Sequence, residues 1–468
     1  MKYNKVTPAI VSQLIKIIGE KYVITDAEKL SGYSCDEIPA RFARMPEVVI
    51  QPQNALEISE IVKIANIELI PITPRGAGTG LSGGAIPVFG GIVISFERMN
   101  KIIEIDYNNM TVVVEPGVIT NEINIATEGS GLFYAGYPMS VLACSIGGNI
   151  AENAGGGKAI KYGVTDRYVL GLELVTPTGE IVQLGGKLIK DVTGYNLKQL
   201  IVGSEGTLGI VTKITLKLSP MPKLITDLLA LFTDTQQAIE LVPHIMMKTG
   251  IVPTSIEYMD NFSVKTSCQY LNESLPYEGV AAMLLIELDG TREEQVEEDA
   301  NAVGELCFEH GALEVYVADN HTTRERIWSV RRNINEAMRA LCSVHADEDT
   351  VVPISTITEF TIGIEEISKK YNVHMPCFGH AGDGNLHPSI MKRDDMTMEE
   401  WYETEDKVLR ELYALCKRLG GKITGEHGVG SKRRKYLDIV ASDAEINMMR
   451  KIKNALDPNN IMNPGKIF

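Results

Sequence analysis

Residues 74–85 read "PRGAGTGLSGGA", directly after a predicted strand, and this glycine-rich stretch decides the fold. Two more stretches of this kind follow it, at 138–163 and 202–211. Glycine lets backbone N–H groups approach a phosphate closely and supplies turns with positive φ. A single glycine loop is usually a tight turn. Three in one region, two of them with Ser, Thr or Asn beside the glycines, favour an extended dinucleotide whose pyrophosphate is buried.

The first loop does not match the common nucleotide-binding patterns. No G-x-x-x-x-G-K-[ST] is present, which argues against a P-loop nucleotide triphosphatase. Residues 76–83 begin as the dinucleotide pattern G-x-G-x-x-G, but Leu81 stands at the third glycine and no acidic ribose partner follows at the expected distance. An NAD-dependent dehydrogenase of the Rossmann type is therefore the least favoured enzyme class.

The bulk composition excludes several classes of partner. Across 468 residues the net charge is −16, with a pI of about 5.1, which argues against binding to nucleic acid or anionic lipid. Residues 1–20 predict an amphipathic helix, and no stretch reaches the roughly 18 apolar residues that a membrane span needs. Seven scattered cysteines without a C-x-x-C pair indicate reduced thiols in a cytoplasmic protein and no iron–sulfur ligand set.

The pattern of predicted elements changes near residue 222. Upstream, residues 46–218 alternate short strands with glycine turns and include two predicted hairpins, at 102–117 and 172–184. Downstream, strands alternate with long helices, which are predicted at about 234–249, 291–310, 321–340, 356–371 and 397–419. This alternation predicts an α+β domain in which helices cover a sheet.

Four stretches together resemble the FAD-binding domain of the vanillyl-alcohol-oxidase/PCMH-type flavoproteins. They are "PRGAGTGLSGG" (74–84), "SIGGNIAENAGG" (145–156), "YGVTDRYVLGLELVTPTGEIV" (162–182) and "DVTGYNLKQLIVGSEGTLGIVTKITLKL" (191–218). The branch they resemble contains D-lactate dehydrogenases, the glycolate oxidase large subunit and D-2-hydroxyglutarate dehydrogenase.

This resemblance implies the fold class and the domain order. We expect an α+β protein with a two-part PCMH-type FAD-binding domain and an α+β cap (substrate) domain that contains an antiparallel sheet. The expected segments are an N-terminal helical segment at 1–40, the FAD-binding domain at 41–220, the cap domain at 221–425, and a C-terminal segment at 426–468 that returns to the FAD-binding domain.

The resemblance also assigns the cofactor residues. The first loop would wrap the FAD pyrophosphate, the second would line the isoalloxazine and ribityl side, and the third would lie near the adenosine half. The residues are, in that order, Pro74, Arg75, Gly76, Ala77, Gly78, Thr79 and Gly80; Pro138, Ser140, Ser145, Gly148 and Asn149; and Glu205, Gly206 and Ile210. Because the first loop has no histidine to tether flavin, we expect non-covalent FAD.

Histidines cluster near the C-terminus, in "FGHAGDGNLH" (378–387) and "GEHGVG" (425–430). The Asp-Gly pair predicts a hairpin turn, which would bring His380 and His387 together. Two imidazoles converging on one point are typical of a metal site, to which Glu426 could add a carboxylate. The resemblance implies a divalent metal on His380, His387 and Glu426 (zinc, iron(II) or manganese) and a catalytic base at His427.

The resemblance further implies a substrate and its anchors. The family's Trp-x-x-Arg pattern places Arg331 on the carboxylate of a small 2-hydroxy acid, and Asn385 is a candidate substrate contact that would equally suit the turn. Relatives that act on diacids carry extra cations in the stretch matching 346–355, which is acidic here. D-Lactate is therefore the favoured substrate and glycolate the second.

The route of the electrons follows from the resemblance alone. The chain is similar to the dehydrogenase subunit that pairs with an electron-transferring flavoprotein in anaerobic bacteria, where electron bifurcation couples lactate oxidation to NAD⁺ reduction with ferredoxin. The alternatives are a glycolate oxidase-type subunit with other redox subunits or a quinone pathway, a D-2-hydroxyglutarate dehydrogenase, an alkyl-transferring or oxidase relative, and a non-catalytic flavin-binding subunit.

Overall fold

The computed structural model of the chain describes residues 3–468; residues 1 and 2 of the predicted N-terminal segment lie outside that range. The chain divides into two compact units. Unit 1 comprises the chain up to Gly155 together with Val164–Met221 and Glu426–Phe468. Unit 2 comprises Gly156–Gly163 and Pro222–Gly425. Within the described residues, no helix combines the length and the apolar character needed to cross a membrane.

The described residues of unit 1 form eleven strands, arranged in a four-stranded, a five-stranded and a two-stranded sheet. Its strands are β1 (Val23–Ile24), β2 (Val48–Ile50), β3 (Ile72–Arg75), β4 (Ile92–Ser95), β5 (Ile102–Asp106), β6 (Thr111–Val114), β7 (Leu132–Phe133), β8 (Val169–Val175), β9 (Ile181–Gly185), β10 (Ile210–Lys217) and β11 (Ser219–Pro220). Its helices are α1 (Pro8–Ile18), α2 (Ala27–Ser31), α3 (Ala55–Glu68), α4 (Thr120–Ala126), α5 (Ile146–Glu152), α7 (Leu197–Ile201), α15 (Leu437–Val440) and α16 (Asp443–Leu456).

The four-stranded sheet runs β1-β2-β4-β3, with β4 parallel to both β2 and β3. The five-stranded sheet runs β5-β6-β10-β8-β9 and is antiparallel, and it contains both predicted hairpins, β5–β6 and β8–β9. Burial alternates residue by residue along β10, as expected for a strand with one face on the core. The parallel strand β3 leads directly into the first glycine loop, so the sheet fixes where that loop begins.

Helix caps in unit 1 follow the sequence signals. Thr7 accepts a hydrogen bond from the Ile10 N–H at the start of α1, and Pro8 occupies the first turn, where its missing N–H costs nothing. Helix α1 ends at Gly19, whose φ of 88° is easy only for glycine. The predicted N-terminal amphipathic helix is therefore present, and it buries Ile10, Leu14 and Ile18 in the core under the four-stranded sheet.

Unit 2 is built on a sheet of order β15-β12-β14-β13-β18-β19-β16, with β17 paired to β19, and every pairing is antiparallel. Its strands are β12 (Leu224–Phe232), β13 (Ser255–Asp260), β14 (Ala282–Gly290), β15 (Glu314–Ala318), β16 (His345–Asp347), β17 (Thr350–Val351), β18 (Cys377–His380) and β19 (Asn385–Met391). Its helices are α6 (Ala159–Tyr162), α8 (Thr235–Thr249), α9 (Asn261–Leu271), α10 (Glu293–Glu309), α11 (His321–Arg332), α12 (Ile334–Leu341), α13 (Ile357–Tyr371) and α14 (Met398–Arg418).

The helix predicted at 321–340 is interrupted. Asn333 ends α11 and precedes α12, and its side-chain amide donates to the Ser329 carbonyl at 2.8 Å. A short polar side chain that bonds the preceding turn competes with the helical backbone, so one predicted helix becomes two.

Residues 156–163, which the sequence places in the FAD-binding domain, are counted with unit 2. Lys158 forms an ion pair with Glu287 at 3.0 Å, and Lys161 forms another with Asp289. Ile160 packs against Gly382 so closely that a Cβ at Gly382 would lie 2.8 Å from its Cδ1 atom. Residues 156–163 are therefore held in unit 2 by two lysine ion pairs and one apolar contact. No local sequence pattern encodes these contacts.

Candidate functional site

The first glycine loop of unit 1 offers unused backbone donors. Its residues 75–80 are half-buried or exposed, and within residues 3–468 the amides of Gly76, Gly78, Thr79 and Gly80 donate to no acceptor. The amide of Ala77 donates to the Ser145 hydroxyl at 3.2 Å. A run of unpaired N–H groups on an accessible loop is an anion site, so the loop fits the pyrophosphate of a dinucleotide.

The first and second loops meet at two glycines. A Cβ placed on Gly76 would overlap the Ser145 hydroxyl and lie 3.6 Å from the Gly148 nitrogen. Ser145 precedes α5, and the Gly148 amide likewise donates to no acceptor within the described residues. Asn149 is buried and bonds Thr120 at 2.8 Å, so it orients α5. Pro138 and Ser140 form the turn before it, through the amides of Val141 and Cys144.

The third loop is held to the C-terminal segment inside unit 1. The Glu205 carboxylate accepts the N–H groups of Val429 and Gly430, both at 2.8 Å. Gly206 adopts a φ of 66°, and a Cβ there would lie 2.6 Å from the Pro74 ring, so this glycine lets the third loop pack on the start of the first. Ile210 is buried at the start of β10. Glu205 thus positions the residues two and three places after His427.

Buried charges surround that contact. Arg433 is fully buried, and its guanidinium donates to the Gly428 carbonyl at 3.2 Å. Glu152 receives the Ser82 hydroxyl at 3.1 Å; its burial and then the neighbouring Glu205 raise the pKa of Glu152 well above its usual value. Burial likewise lowers the pKa of Lys466 to about 8. The carboxylates beside the third loop are therefore part of an interior network rather than a solvated face.

The close approach of the two loops yields a testable expectation. Gly76→Ala displaces the Ser145 hydroxyl, which removes its bond to the Ala77 amide and reshapes the donor loop. One hydrogen bond contributes roughly 1 kcal/mol, so we expect FAD affinity to fall about fivefold. Flavin fluorescence titration of the FAD-free protein measures this. Gly186→Ala is the matched control, because a Cβ at Gly186 meets nothing within 4 Å; equal affinity of the two variants would refute the expectation.

In unit 2, the predicted histidine hairpin is present. Strands β18 and β19 pair with Phe378 opposite His387 and His380 opposite Asn385, around a 3-10 turn and Gly384, whose φ is 83°. In this register His380 and His387 are diagonal neighbours on one face. Their ring centroids lie 5.3 Å apart, perpendicular to each other, and both residues are buried. The hairpin therefore gathers two imidazoles as predicted.

A third strand supplies a carboxylate to this pair. Glu257 on β13 lies directly opposite His380, and its Oε1 is 2.7 Å from His380 Nδ1. Its Oε2 accepts Arg331 Nε at 2.8 Å. Burial raises the pKa of Glu257, but the neighbouring Arg331 and His380 outweigh it and hold that pKa at about 2. Arg331, predicted to bind the substrate carboxylate, is buried against Glu257, and that substrate role stays a prediction.

Asn385 is also engaged within unit 2. Its amide donates to the Asp349 carboxylate at 2.7 Å and to the Thr350 carbonyl at 2.9 Å. The other oxygen of Asp349 accepts the Thr424 hydroxyl at 2.5 Å and the Gly425 N–H at 3.1 Å. Asp349 also lies 3.8 Å from His387 Nδ1. The Asn385 side chain thus ties the hairpin to residues 349 and 350, and its role as a substrate contact stays a prediction.

Glu426 and His427 open the last segment of unit 1. The His427 Nε2 atom lies 3.6 Å from Glu426 Oε1, and both side chains are partly exposed. Glu426 directly follows Gly425, the residue tied to Asp349 in unit 2. The assignments of Glu426 as a metal ligand and of His427 as the base stay predictions.

Sequence reasoning missed Glu257 and the role of Asp349. Glu257 is the one charged residue in the run "SIEYM", and an isolated acid in a buried strand is a usable signal. Asp349 is one of three adjacent acids, and that run was interpreted only as a repulsive charge. His380 and His387 carry the pattern of a ligand pair with a carboxylate behind one of them, which is the usual setting of metal-binding histidine.

Family models match both units of the chain. The model described as "FAD linked oxidases, C-terminal domain" matches residues 221–467, and the model described as "FAD binding domain" matches residues 46–185. The chain is 41% identical to the glycolate oxidase subunit GlcD of Bacillus subtilis (99% of this chain, 97% of the relative) and 37% identical to a D-lactate dehydrogenase of Anaerostipes hadrus (100% and 98%). It is 34% identical to a D-2-hydroxyglutarate dehydrogenase of Stutzerimonas stutzeri (98% and 99%).

Solved structures support the fold. The chain is similar to p-cresol methylhydroxylase with substrate bound (TM-score 0.79, 20% identity, 98% of this chain and 96% of that chain). It is also similar to alkyldihydroxyacetonephosphate synthase (TM-score 0.76, 19% identity, 99% and 87%). The predicted fold class, a PCMH-type FAD-binding domain with a second domain built on an antiparallel sheet, is confirmed.

Proposed function

We propose that this chain, which belongs to the FAD-linked oxidase family, oxidises D-lactate to pyruvate. The premise is that it is an FAD-dependent 2-hydroxy-acid dehydrogenase. The relatives include the predicted branch: a D-lactate dehydrogenase, a glycolate oxidase subunit and a D-2-hydroxyglutarate dehydrogenase. The observation that carries the proposal is the pair His380 and His387 on one buried sheet face, with a carboxylate behind His380.

The cofactor would be held by the three loops of unit 1. The unused amides of Gly76, Gly78, Thr79, Gly80 and Gly148 suit the pyrophosphate, because backbone N–H groups stabilise phosphate oxygens without a counter-ion. The first loop contains no histidine, which supports non-covalent binding. FAD bound there accepts the hydride that leaves the substrate α-carbon. The protein's own task is to orient the substrate and to take its hydroxyl proton.

We assign the metal to the set predicted from the sequence, His380, His387 and Glu426. Two imidazoles and one carboxylate suit zinc, iron(II) or manganese, and three protein ligands leave positions open for substrate oxygens. A divalent metal bound there supplies a Lewis acid for the substrate hydroxyl and carboxylate. His380 would bind through Nε2, because its Nδ1 faces Glu257.

The proton acceptor we assign is His427. An imidazole placed beside the reacting hydroxyl is the commonest general base in enzymes. Its side chain is partly exposed, and Glu205 holds the backbone of Val429 and Gly430 shortly after it. His427 would take the hydroxyl proton and bound FAD would take the hydride, so the alcohol would lose two electrons and two hydrogens and become the 2-oxo acid.

The substrate is expected to carry a single carboxylate. Glu348 and Asp349 are buried in the stretch where diacid relatives carry cations, and Arg331 already faces Glu257. A second substrate carboxylate would meet negative charge, which disfavours 2-hydroxyglutarate. Glycolate lacks only the methyl group of lactate, and a methyl group in an apolar pocket is worth about 1–3 kcal/mol, so glycolate is the competitor that the test must include.

We further propose an electron-transferring flavoprotein as the electron acceptor, with bifurcation. In such a reaction two electrons from lactate and two from reduced ferredoxin together reduce two NAD⁺. The support is the resemblance described above and the cysteines, all seven of which are free and scattered, so that the chain offers no cluster of its own. The purified protein mixed with an electron-transferring flavoprotein should reduce NAD⁺ with lactate only when reduced ferredoxin is present.

The central test follows the flavin absorbance under anaerobic conditions. D-Lactate should bleach the flavin of the wild-type protein, while L-lactate and 2-hydroxyglutarate should leave it oxidised. Removing the metal with a chelator should abolish bleaching, and adding back a divalent metal should restore it. If glycolate bleached the flavin faster than D-lactate, glycolate would be the substrate in place of D-lactate. A flavin that stays oxidised with all four acids would indicate a non-catalytic flavin-binding subunit instead.

A further inference from the structure

We propose that Glu257 is a positioning residue that, held by Arg331 and Ser255, fixes the tautomer and ring orientation of His380 for metal binding. The inference rests on the proposed function, because it concerns the histidine assigned there as a ligand. It gives Arg331 a role different from the one the sequence predicts. It also makes Glu257 of β13, which is far in sequence from both histidine motifs, part of the metal site.

The first support is the saturation of the Glu257 carboxylate. One oxygen, Oε1, accepts the Ser255 hydroxyl at 2.8 Å and faces His380 Nδ1 at 2.7 Å. The other, Oε2, accepts Arg331 Nε at 2.8 Å and lies 2.6 Å from a terminal guanidinium nitrogen. Each oxygen has two partners, so the carboxylate cannot rotate without breaking two contacts. Glu257 has no exposed surface and Arg331 is only 5% exposed.

The second support is chemical. An ionised carboxylate only accepts hydrogen bonds, so it keeps the proton of neutral His380 on Nδ1 and leaves the lone pair on Nε2. A histidine that binds metal through Nε2 requires this tautomer. Carboxylates behind metal-binding histidines also raise the basicity of the ligand, and their loss typically weakens metal binding 10- to 100-fold.

The third support is that Arg331 also contacts Phe378, which lies beside the second histidine, His387. Its guanidinium carbon lies 5.0 Å from the centre of the Phe378 ring, a cation–π distance. Phe378 stands opposite His387 in the hairpin, with ring centroids 5.5 Å apart. One buried arginine therefore supports His380 through Glu257 and His387 through Phe378. This arrangement explains a buried Arg–Glu pair that would otherwise contribute little net stability.

The test compares Co²⁺ binding to metal-free wild type, Glu257→Gln and Asp227→Asn, followed by the visible absorption of bound Co²⁺ and by chelator competition. Glu257→Gln should weaken binding 10- to 100-fold, because a glutamine amide can donate to Nδ1 and favour the wrong tautomer. Asp227→Asn is the matched control. Asp227 is also a fully buried carboxylate of this sheet, paired with Arg324 at 3.0 Å and with Trp328 at 2.9 Å, and Co²⁺ affinity should be unchanged.

The outcomes separate this inference from the proposed function. If wild type binds no Co²⁺ and needs no metal for flavin reduction, the metal assignment fails. If wild type binds Co²⁺ and Glu257→Gln binds it equally well, the positioning role of Glu257 is wrong. Should Glu257→Gln not fold, the double variant Glu257→Gln/Arg331→Met removes both buried charges and is tested alike. Nitrogen-15 NMR of the metal-free wild type, which needs no folded variant, should show His380 protonated at Nδ1; protonation at Nε2 would overturn the inference.

Discussion

Replacing His427 with Gln should slow the reduction of the flavin by D-lactate by about 10²- to 10⁴-fold, the range that general-base catalysis supplies. The amide of Gln has no lone pair basic enough to take the hydroxyl proton, yet it is close to imidazole in size and polarity. His427 is partly exposed, and the backbone N–H groups of Val429 and Gly430 hold its segment to Glu205. We therefore expect the variant to fold and to retain FAD.

Anaerobic stopped-flow absorbance measures this rate, and metal and FAD contents are measured on the same sample. His321→Gln is the matched control, because His321 is an exposed histidine at the start of α11 with no part in the proposed chemistry. If the His427→Gln variant had normal FAD content, normal metal content and the wild-type rate, His427 would not be the general base. A variant that loses metal would instead make His427 a ligand.

Much of unit 1 could be predicted from the sequence, because its signals are local. Each of three signals fixes the backbone conformation within a few residues: the glycines after β3, the Asn-Asn and Thr-Gly turns, and the proline at the start of α1. The hairpin of unit 2 was predictable for the same reason: a two-residue periodicity on either side of an Asp-Gly turn puts His380 and His387 on one face.

The contacts of Glu257 and Glu205 could not be predicted, because they depend on pairing between distant segments. Glu257 meets His380 across 123 residues, and Glu205 meets Val429 across 224. The first contact depends on the register of β13 and β18, and the second joins two loops that only the whole fold brings together. The resemblance suggests that Arg331 binds substrate and that Glu205 lies near the adenosine half of FAD. In the structure Arg331 bonds Glu257, and Glu205 bonds the amides of Val429 and Gly430. A family sequence pattern does not contain these contacts.

Glu205→Ala should lower the free energy of unfolding of unit 1 by about 3–5 kcal/mol. The carboxylate accepts two backbone N–H groups at 2.8 Å, and hydrogen bonds to a charged group are worth roughly 1.5–3 kcal/mol each. Loss of the negative charge also leaves the fully buried Arg433 with less compensation. One effect opposes this: the pKa of the neighbouring Glu152, which Glu205 helps to raise, should fall toward its usual value.

The chain offers an internal reference for this measurement. Both of its tryptophans, Trp328 and Trp401, are buried in unit 2, whereas the proposed FAD site lies in unit 1. In urea, flavin release should report unit 1 and tryptophan fluorescence should report unit 2. Glu205→Ala should shift the flavin transition to lower urea and shift the tryptophan transition less, while Glu205→Gln, which keeps one acceptor, should give about half the effect.

The control is Glu128→Ala, which removes an exposed glutamate of the same unit and should change the free energy of unfolding by no more than about 0.5 kcal/mol. Because the bonded amides lie two and three residues after His427, Glu205→Ala should also slow flavin reduction in protein that still holds FAD. If stability falls while the rate stays at the wild-type value, Glu205 is only a structural anchor. If both fall and Glu205→Gln restores both in part, the third loop does more than contact cofactor, since its carboxylate then determines where the proposed base stands.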